Sequence, residues 1–433
     1  MDHQADHATR IPLIACHACG LVHKVTHFPA GSKAVCTRCG SVLCRQSVDG
    51  ITRGFALNLA ALLLFTVANT YPLMTLKIGG REQTSTLLEG VTALYRGGMW
   101  ELAGLVLLVA ILFPFVRIVG SLVVLGSLRA GLRSRALAPL FRAIELLRPW
   151  AMTEVYLLGL IVAWVKLRDL ATLHLDVALF AFIVFILIMV WSEAAVDSHE
   201  VWDRIAPQAR GRRDETADSK SYLACHGCGQ LVRKPDLPFA SHAHALSCPR
   251  CWSRLHERKP ESLARTWALL IAAAILYIPA NVYPVMTVIS LGQGEPDTIL
   301  SGVKALILVG MWPIALLVFF ASITVPVLKL IGLVYLLVSV QRRSPRRRRD
   351  RTTMYRLIES IGRWSMVDIF MISILVALVN LGALATIEPG VGAVAFASVV
   401  ILTMLASMSF DPRLIWDSGE DRHDDVGGKI ARG

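Results

Sequence analysis

Residues 69–75 read Asn-Thr-Tyr-Pro-Leu-Met-Thr, and residues 281–287 read Asn-Val-Tyr-Pro-Val-Met-Thr. The same offset of 212 carries Gly90-Val91, Ala93-Leu94 and Gly98-Met99-Trp100 onto Gly302-Val303, Ala305-Leu306 and Gly310-Met311-Trp312. At an offset of 214, Glu145, Trp150, Met152 and Glu154 become Glu359, Trp364, Met366 and Asp368. Self-similarity at this period makes the chain a tandem duplication, so one reading of the unit serves both halves.

Each copy holds four apolar runs, at about 55–76, 100–126, 150–172 and 176–196, then 265–289, 311–340, 364–386 and 390–410. A helix of about 20 apolar residues crosses a hydrocarbon core of roughly 30 Å. The 433 residues are 55% hydrophobic and 18% charged, and their mean hydropathy is +0.56. Soluble domains carry about 25% charged residues, so soluble, disordered, collagenous and small secreted classes are excluded. The expected fold is an all-α polytopic membrane protein of two tandem four-helix modules, eight spans in all. An even number of spans per unit gives both copies the same orientation, a parallel repeat.

The formal charge of +12 comes from 44 Lys and Arg against 32 Asp and Glu. Most of the basic residues fall in 1–54, 127–149, 197–264, 341–363 and 411–433, with Arg346–Arg349 the densest run. Outer connections and outer span ends hold Lys77, Arg81, Arg96, Lys166, Arg168 and Lys304. This asymmetry puts both termini in the cytoplasm and explains the net charge without a nucleic-acid partner. The first ten residues, polar and lacking an apolar stretch, read as no cleaved signal peptide, which leaves the first span as the anchor.

Eight of nine cysteines form two sets: Cys16, Cys19, Cys36 and Cys39, then Cys225, Cys228, Cys248 and Cys251. Paired C-x2-C knuckles at this separation supply four thiolates in a tetrahedron, and a full set leaves no open coordination position. Each set therefore reads as a small cytoplasmic β ribbon around one structural zinc ion. A redox dithiol or an iron-sulfur site uses the same dipeptide spacing. Gly20, Gly40 and Gly229 follow their knuckles where a tight turn suits glycine, and Trp252 breaks that pattern. Cys44 stands apart as a spare thiol, and His17 and His226, inside the knuckles, read as solvent-facing.

Prolines and charges inside the spans are the remaining signals. Pro72 and Pro284 end or kink the first helix of each unit, while Pro114 and Pro326 sit inside the second helix and free a carbonyl there, as a packing kink or a hinge. Ionisable residues in a bilayer are functional hypotheses by default. Arg117 and Lys329 occupy equivalent points, as do Glu154 and Asp368, so each unit is expected to hold one ion pair near its inner side. Lys329 with Asp368 is the sharper gating candidate, with Ser322, Thr324, Thr403, Ser407 and Ser409 as polar lining. Inward snorkelling of the two cations is the plainer alternative. No phosphate loop, H-E-x-x-H helix or G-x-S-x-G elbow occurs, so an ATPase or hydrolase of those types is not expected.

Two cysteine ribbons, each followed by four helices, with N-x-Y-P-x-M-T, G-V-x-A-L and G-M-W at fixed places, resemble the paraquat-inducible protein A family in its tandem form over residues 12–410. The resemblance implies an inner-membrane protein of two-membrane bacteria, not an enzyme, that works in lipid trafficking with a periplasmic tunnel protein built from MCE domains. It also implies that the eight cysteines ligate zinc and that outer loops 77–99 and 290–310 face that partner. The units follow as 1–54 first ribbon, 55–200 first transmembrane module, 201–221 linker, 222–262 second ribbon, 263–410 second module and 411–433 tail. Two functions fit: a subunit that moves phospholipid to or from the tunnel, or a non-transporting scaffold, responsive to metal or redox state, that anchors a periplasmic partner.

Overall fold

A computed structural model describes residues 13–417 apart from 26–28, 30, 46, 48, 79–80, 133, 168–171, 207–221, 234–246, 291–292, 309 and 380–384. Most of the expected linker, and the tail beyond 417, lie outside the described residues. The first ribbon is two antiparallel hairpins, β1 (Leu13–Ala15) with β2 (Val22–Lys24) and β3 (Lys33–Val35) with β4 (Val42–Arg45). The first module follows as α1 (Gly50–Thr70), β5 (Met74–Ile78), β6 (Arg81–Ser85), α2 (Leu87–Arg96), α3 (Trp100–Val106), α4 (Phe113–Arg129), α5 (Leu137–Leu147), α6 (Thr153–Leu167), β7 (Thr172–Leu175) and α7 (Val177–Ala195). A short α8 (Ser198–Ile205) leads to the second ribbon, with β8 (Tyr222–Ala224) and β9 (Leu231–Arg233). The second module repeats the plan with α9 (Ser262–Val282), β10 (Met286–Ser290), β11 (Gln293–Asp297), α10 (Ile299–Leu308), α11 (Trp312–Phe319), α12 (Val325–Gln341), α13 (Arg348–Ile361), α14 (Val367–Leu378), β12 (Ala385–Pro389) and α15 (Val391–Ser409), then α16 (Leu414–Asp417).

Two features depart from an all-α, eight-span plan. Between α1 and α2 a hairpin takes a third strand from before α7, giving a sheet ordered β6-β5-β7, and the second module builds β11-β10-β12 in the same way. These sheets and the helices α2 and α10 occupy the outer segments expected as loops. The helix α2 opens with a reciprocal capping box between Thr86 and Glu89. Among the described residues, seven rather than eight helical runs are long and apolar enough to cross a membrane. The third helix of the first module, α6, has 15 residues and is about 22 Å long, short of a full crossing by itself.

The prolines act as local geometry requires. Tyr71 and Tyr283 are extended (φ −99°, ψ 156° and φ −82°, ψ 149°), which ends α1 and α9 before Pro72 and Pro284. Each second helix widens into a π turn, Leu107–Leu112 and Phe320–Thr324, just before Pro114 and Pro326. The N–H of Phe113 there reaches back to Leu108 O, and that of Val325 to Phe320 O, five residues instead of four. The wide turn makes room for a ring that can donate no hydrogen bond, so the helix runs on past it.

One apolar core joins the outer halves of both modules. Its centre is α14, all of whose residues are buried, packed on α6 and α2 of the other module. Gly159 and Gly90 permit that approach: a Cβ at Gly159 would meet Phe370 Cβ at 2.9 Å, and one at Gly90 would meet Ser373 Oγ at 2.7 Å. The ribbons are crossed. The first ribbon shares a core with Leu333, Leu336, Tyr355, Ile358, Phe410 and Trp416 of the second module, and the second ribbon packs on Val124, Leu128, Phe141 and Ile144 of the first. Arg38 lies 4.5 Å over the Trp416 ring, and Arg413 Nε donates to His17 O at 3.4 Å. On the other side Arg142 Nη1 donates to Cys251 O at 3.3 Å.

Candidate functional site

Each cysteine set comes together as its spacing demands. The sulfurs of Cys16, Cys19, Cys36 and Cys39, and those of Cys225, Cys228, Cys248 and Cys251, lie within 4.8 Å of one another and are buried. Each knuckle is a tight turn in which the residue after the second cysteine donates back to the first. Gly20 N to Cys16 O is 2.8 Å, and Trp252 N to Cys248 O is 2.9 Å. Three knuckles use glycine at φ 78°, 72° and 70°, and Trp252 adopts φ 56° in the fourth. The position that broke the sequence pattern therefore keeps the turn, at a steric cost of about 1 kcal/mol.

Ser41 and Ser253 hold the sulfurs from behind, at 3.2 Å from Cys39 Sγ and 2.9 Å from Cys225 Sγ, and His23 Nε2 lies 3.2 Å from Cys36 Sγ. Protons shared among close sulfurs draw thiols of each set down, Cys36 through Cys16 in the first, and Cys251 through Cys225 and Cys225 through Cys228 in the second. They push others up, among them Cys19 against Cys16, and Cys228 and Cys248 against Cys225. Four soft donors at tetrahedral spacing fit a metal ion, which would neutralise this crowding and close the ribbon without an open position. Cys44 lies outside the cluster, and burial pushes its thiol up to about 11, an unreactive state. His17 and His226 are exposed and belong to neither set.

Inside the spans the two cations have different surroundings. Arg117 bonds Glu193 of α7, which also accepts from Arg148 Nη2 at 3.4 Å. Glu193, at the inner end of a run otherwise read as apolar, is the acid that sequence reasoning passed over. The partner expected for Arg117, Glu154, is instead an exposed residue of α6. Lys329 is 2% exposed, and its ammonium donates to Thr403 Oγ1 at 2.8 Å and to Gly362 O at 3.4 Å. Asp368, 4% exposed at the start of α14, is not among the described partners of Lys329. Ser322 turns its hydroxyl back to Val318 O at 2.7 Å, Thr324 ends the π turn, and Ser407 bonds Met404 O at 2.8 Å. Of the expected polar lining, Thr403 is the side chain bonded to Lys329.

Equivalent positions account for the contrast. At the offset of 214, Arg148 becomes Gly362, Glu193 becomes Ser407 and Met189 becomes Thr403. The first module fills its inner site with an Arg-Glu-Arg group around a cavity of about 60 Å³. In the second module both of the large polar side chains are absent, and a cavity of about 610 Å³ opens beside Gly362 and Ser407.

These features define a polytopic membrane protein with two metal-competent four-cysteine ribbons. The family model for Paraquat-inducible protein A matches residues 51–206 and 263–420, and the chain belongs to that family. It is similar to Intermembrane transport protein PqiA of Escherichia coli strain K12, 33% identical over 417 residues, 95% of this chain and 97% of the relative. Lipophilic envelope-spanning tunnel protein A of the same strain is 31% identical over 415 residues, 95% of this chain and 93% of the relative. A Probable intermembrane transport protein of Haemophilus influenzae is 28% identical over 401 residues, covering 93% and 94%. No solved structure matches the chain.

Proposed function

We propose that this chain is the inner-membrane subunit of a lipid transport system, moving phospholipid between that membrane and a periplasmic tunnel partner of the MCE-domain type. The relatives' names, intermembrane transport and envelope-spanning tunnel, support this reading. So does Lys329. Stripping an ammonium of water costs several kcal/mol, and a protein that needed only an anchor would gain stability from an apolar residue there. Both termini are cytoplasmic, α6 serves as the eighth span within a locally thinned bilayer, and each ribbon holds one zinc ion. The outer sheets with α2 and α10 present the face to the partner. Lys329 and Asp368 gate the path together, alternating between separated and paired states, with Pro114 and Pro326 as hinge points.

The test is mass spectrometry of the full-length protein purified in detergent, wild type beside Lys329→Met. Two zinc ions and a co-purifying phospholipid that drops about tenfold in the variant are expected, the effect of losing one charge-assisted contact. A wild type without phospholipid, or a variant that keeps it in full, overturns the reading in favour of a scaffold that anchors a partner.

A further inference from the structure

The cavity beside Gly362 stands where four parts of the molecule meet. Its walls come from His17 of the first ribbon, Arg148 and Pro149 of the first module, Arg356, Leu357 and Glu359 of α13, and Met404 and Met408 from the last turns of α15. It lies at the ends of the spans that face the ribbons, the side read as cytoplasmic under the proposed topology, and its volume of about 610 Å³ is of the size that takes a small organic ligand. Two guanidiniums line it, with the carboxylate of Glu359 beside them. Arg356 is exposed on α13 and makes no hydrogen bond or ion pair among the described residues, and Arg148, 46% exposed, has only a 3.4 Å bond to Glu193. Leu357, Met404 and Met408 give the cavity an apolar surface. A guanidinium recognises a phosphate through paired N–H groups, and an adjoining apolar wall selects a phosphate that carries hydrocarbon.

The first module makes the comparison direct. The counterpart of Arg356 is Arg142, which is spent on the carbonyl of Cys251, and the counterpart space is occupied by Arg148 and Glu193. At this position of the unit the second module, unlike the first, leaves its guanidinium unbonded among the described residues beside an open volume. Behind the Gly362 backbone lies Lys329: a Cβ on that glycine would meet Lys329 Cε and Nζ at 3.3 Å.

We propose that this cavity binds the headgroup phosphate of an inner-leaflet phospholipid, with Arg356 and Arg148 on the phosphate and Leu357, Met404 and Met408 against the start of the acyl chains. The proposal deepens the transport reading and rests on it. It assigns a loading site at the cytoplasmic surface, separated from the buried cation by one stretch of backbone.

The experiment is a titration of the full-length protein in detergent with phosphatidylglycerol, read by native mass spectrometry, for wild type, Arg356→Gln, Arg356→Lys and the double variant Arg148→Gln/Arg356→Gln. Arg356→Gln weakens binding by about tenfold, the value of one charge-assisted hydrogen bond, and Arg356→Lys recovers part of that. Because Arg356 is exposed on α13, its variant unfolds at the wild-type temperature. Inorganic phosphate in large excess leaves most of the lipid in place, since it lacks the apolar half of the ligand. Equal lipid affinity in wild type and both glutamine variants overturns the site while transport stands. Displacement of the lipid by inorganic phosphate alone overturns a lipid as the occupant. Absence of any phospholipid on the wild type fails the transport reading itself, and the site with it.

Discussion

The two modules share a plan and differ in what they do with the same buried cation. In the first, Arg117 is neutralised by Glu193, Arg148 closes the group, and the space around it is almost filled. In the second, Lys329 has a hydroxyl and a carbonyl for partners, and the positions equivalent to Arg148 and Glu193 are Gly362 and Ser407. A closed ion pair is a structural solution to a buried charge. An ammonium solvated by two neutral oxygens is responsive, because anything that brings an acid or a phosphate near it changes its energy strongly in a low-dielectric site. Duplication thus gave one copy whose buried cation is paired with an acid and one whose cation is held by neutral oxygens.

The strongest test of this division uses the crossed ribbons. With the proposed ion bound, a structural four-cysteine site contributes most of the folding energy of a domain this small, so Cys16→Ser with Cys19→Ser is expected to unfold the first ribbon. Hydrogen exchange should then rise in α13 and around Phe410–Trp416 of the second module, with α4 and α5 unchanged. Cys225→Ser with Cys228→Ser should give the mirror pattern, raising exchange in α4, α5 and α8. The comparison breaks if each lesion loosens the module that follows it in the chain. A chelator that removes the two proposed ions should produce the two patterns together.

The ion-pair asymmetry predicts opposite signs for two smaller changes. Glu193→Gln leaves Arg117 buried without its anion and costs on the order of 2 kcal/mol, tempered by the part of Glu193 that remains in contact with solvent. Ser407→Glu places the missing acid in the second module, next to the open cavity. It should raise the unfolding temperature by pairing with Lys329 and reduce bound phospholipid. If Ser407→Glu leaves both stability and lipid unchanged, the openness of the second module has no functional meaning.

Much of this was legible because it is written in spacing. The apolar runs and the two cysteine sets depend on spacings within a few dozen residues and the duplication on a constant offset of 212 to 214; the cysteine sets and the repeated plan reappear in the structure, and the runs as seven long helical stretches. The outer sheets were not, since a strand such as Arg81–Ser85 has no apolar alternation and is defined by its pairing with Met74–Ile78. Glu193 was passed over because one acid at the end of α7 does little to the hydropathy of a run that includes Phe180–Trp191. The intermodule place of α14 and the crossing of the ribbons are tertiary facts. Covalent order puts the first ribbon beside the first module, and only the shared core of Ile14, Leu43, Leu336 and Phe410 reveals where it docks.

The smallest effect lies in the ribbons themselves and separates them as the cations separate the modules. Gly20, Gly40 and Gly229 take a left-handed turn without strain, whereas Trp252 holds the same turn against its own Cβ. Half of the Trp252 side chain is in solvent, so its removal forfeits little packing. Trp252→Gly should therefore stabilise the second ribbon by about 1 kcal/mol, the steric cost of a left-handed L-residue. The reverse change, Gly40→Trp, should weaken the first ribbon by a similar amount, and its Cβ has room, the nearest atom being Arg349 Nη2 at 3.5 Å. Competition with a metal chelator reads both, because the ribbon that folds more readily holds its ion more tightly. Equal chelator resistance in Trp252→Gly and wild type would mean that contacts of the indole offset the strained turn, and that the fourth knuckle is a different solution rather than a poorer one.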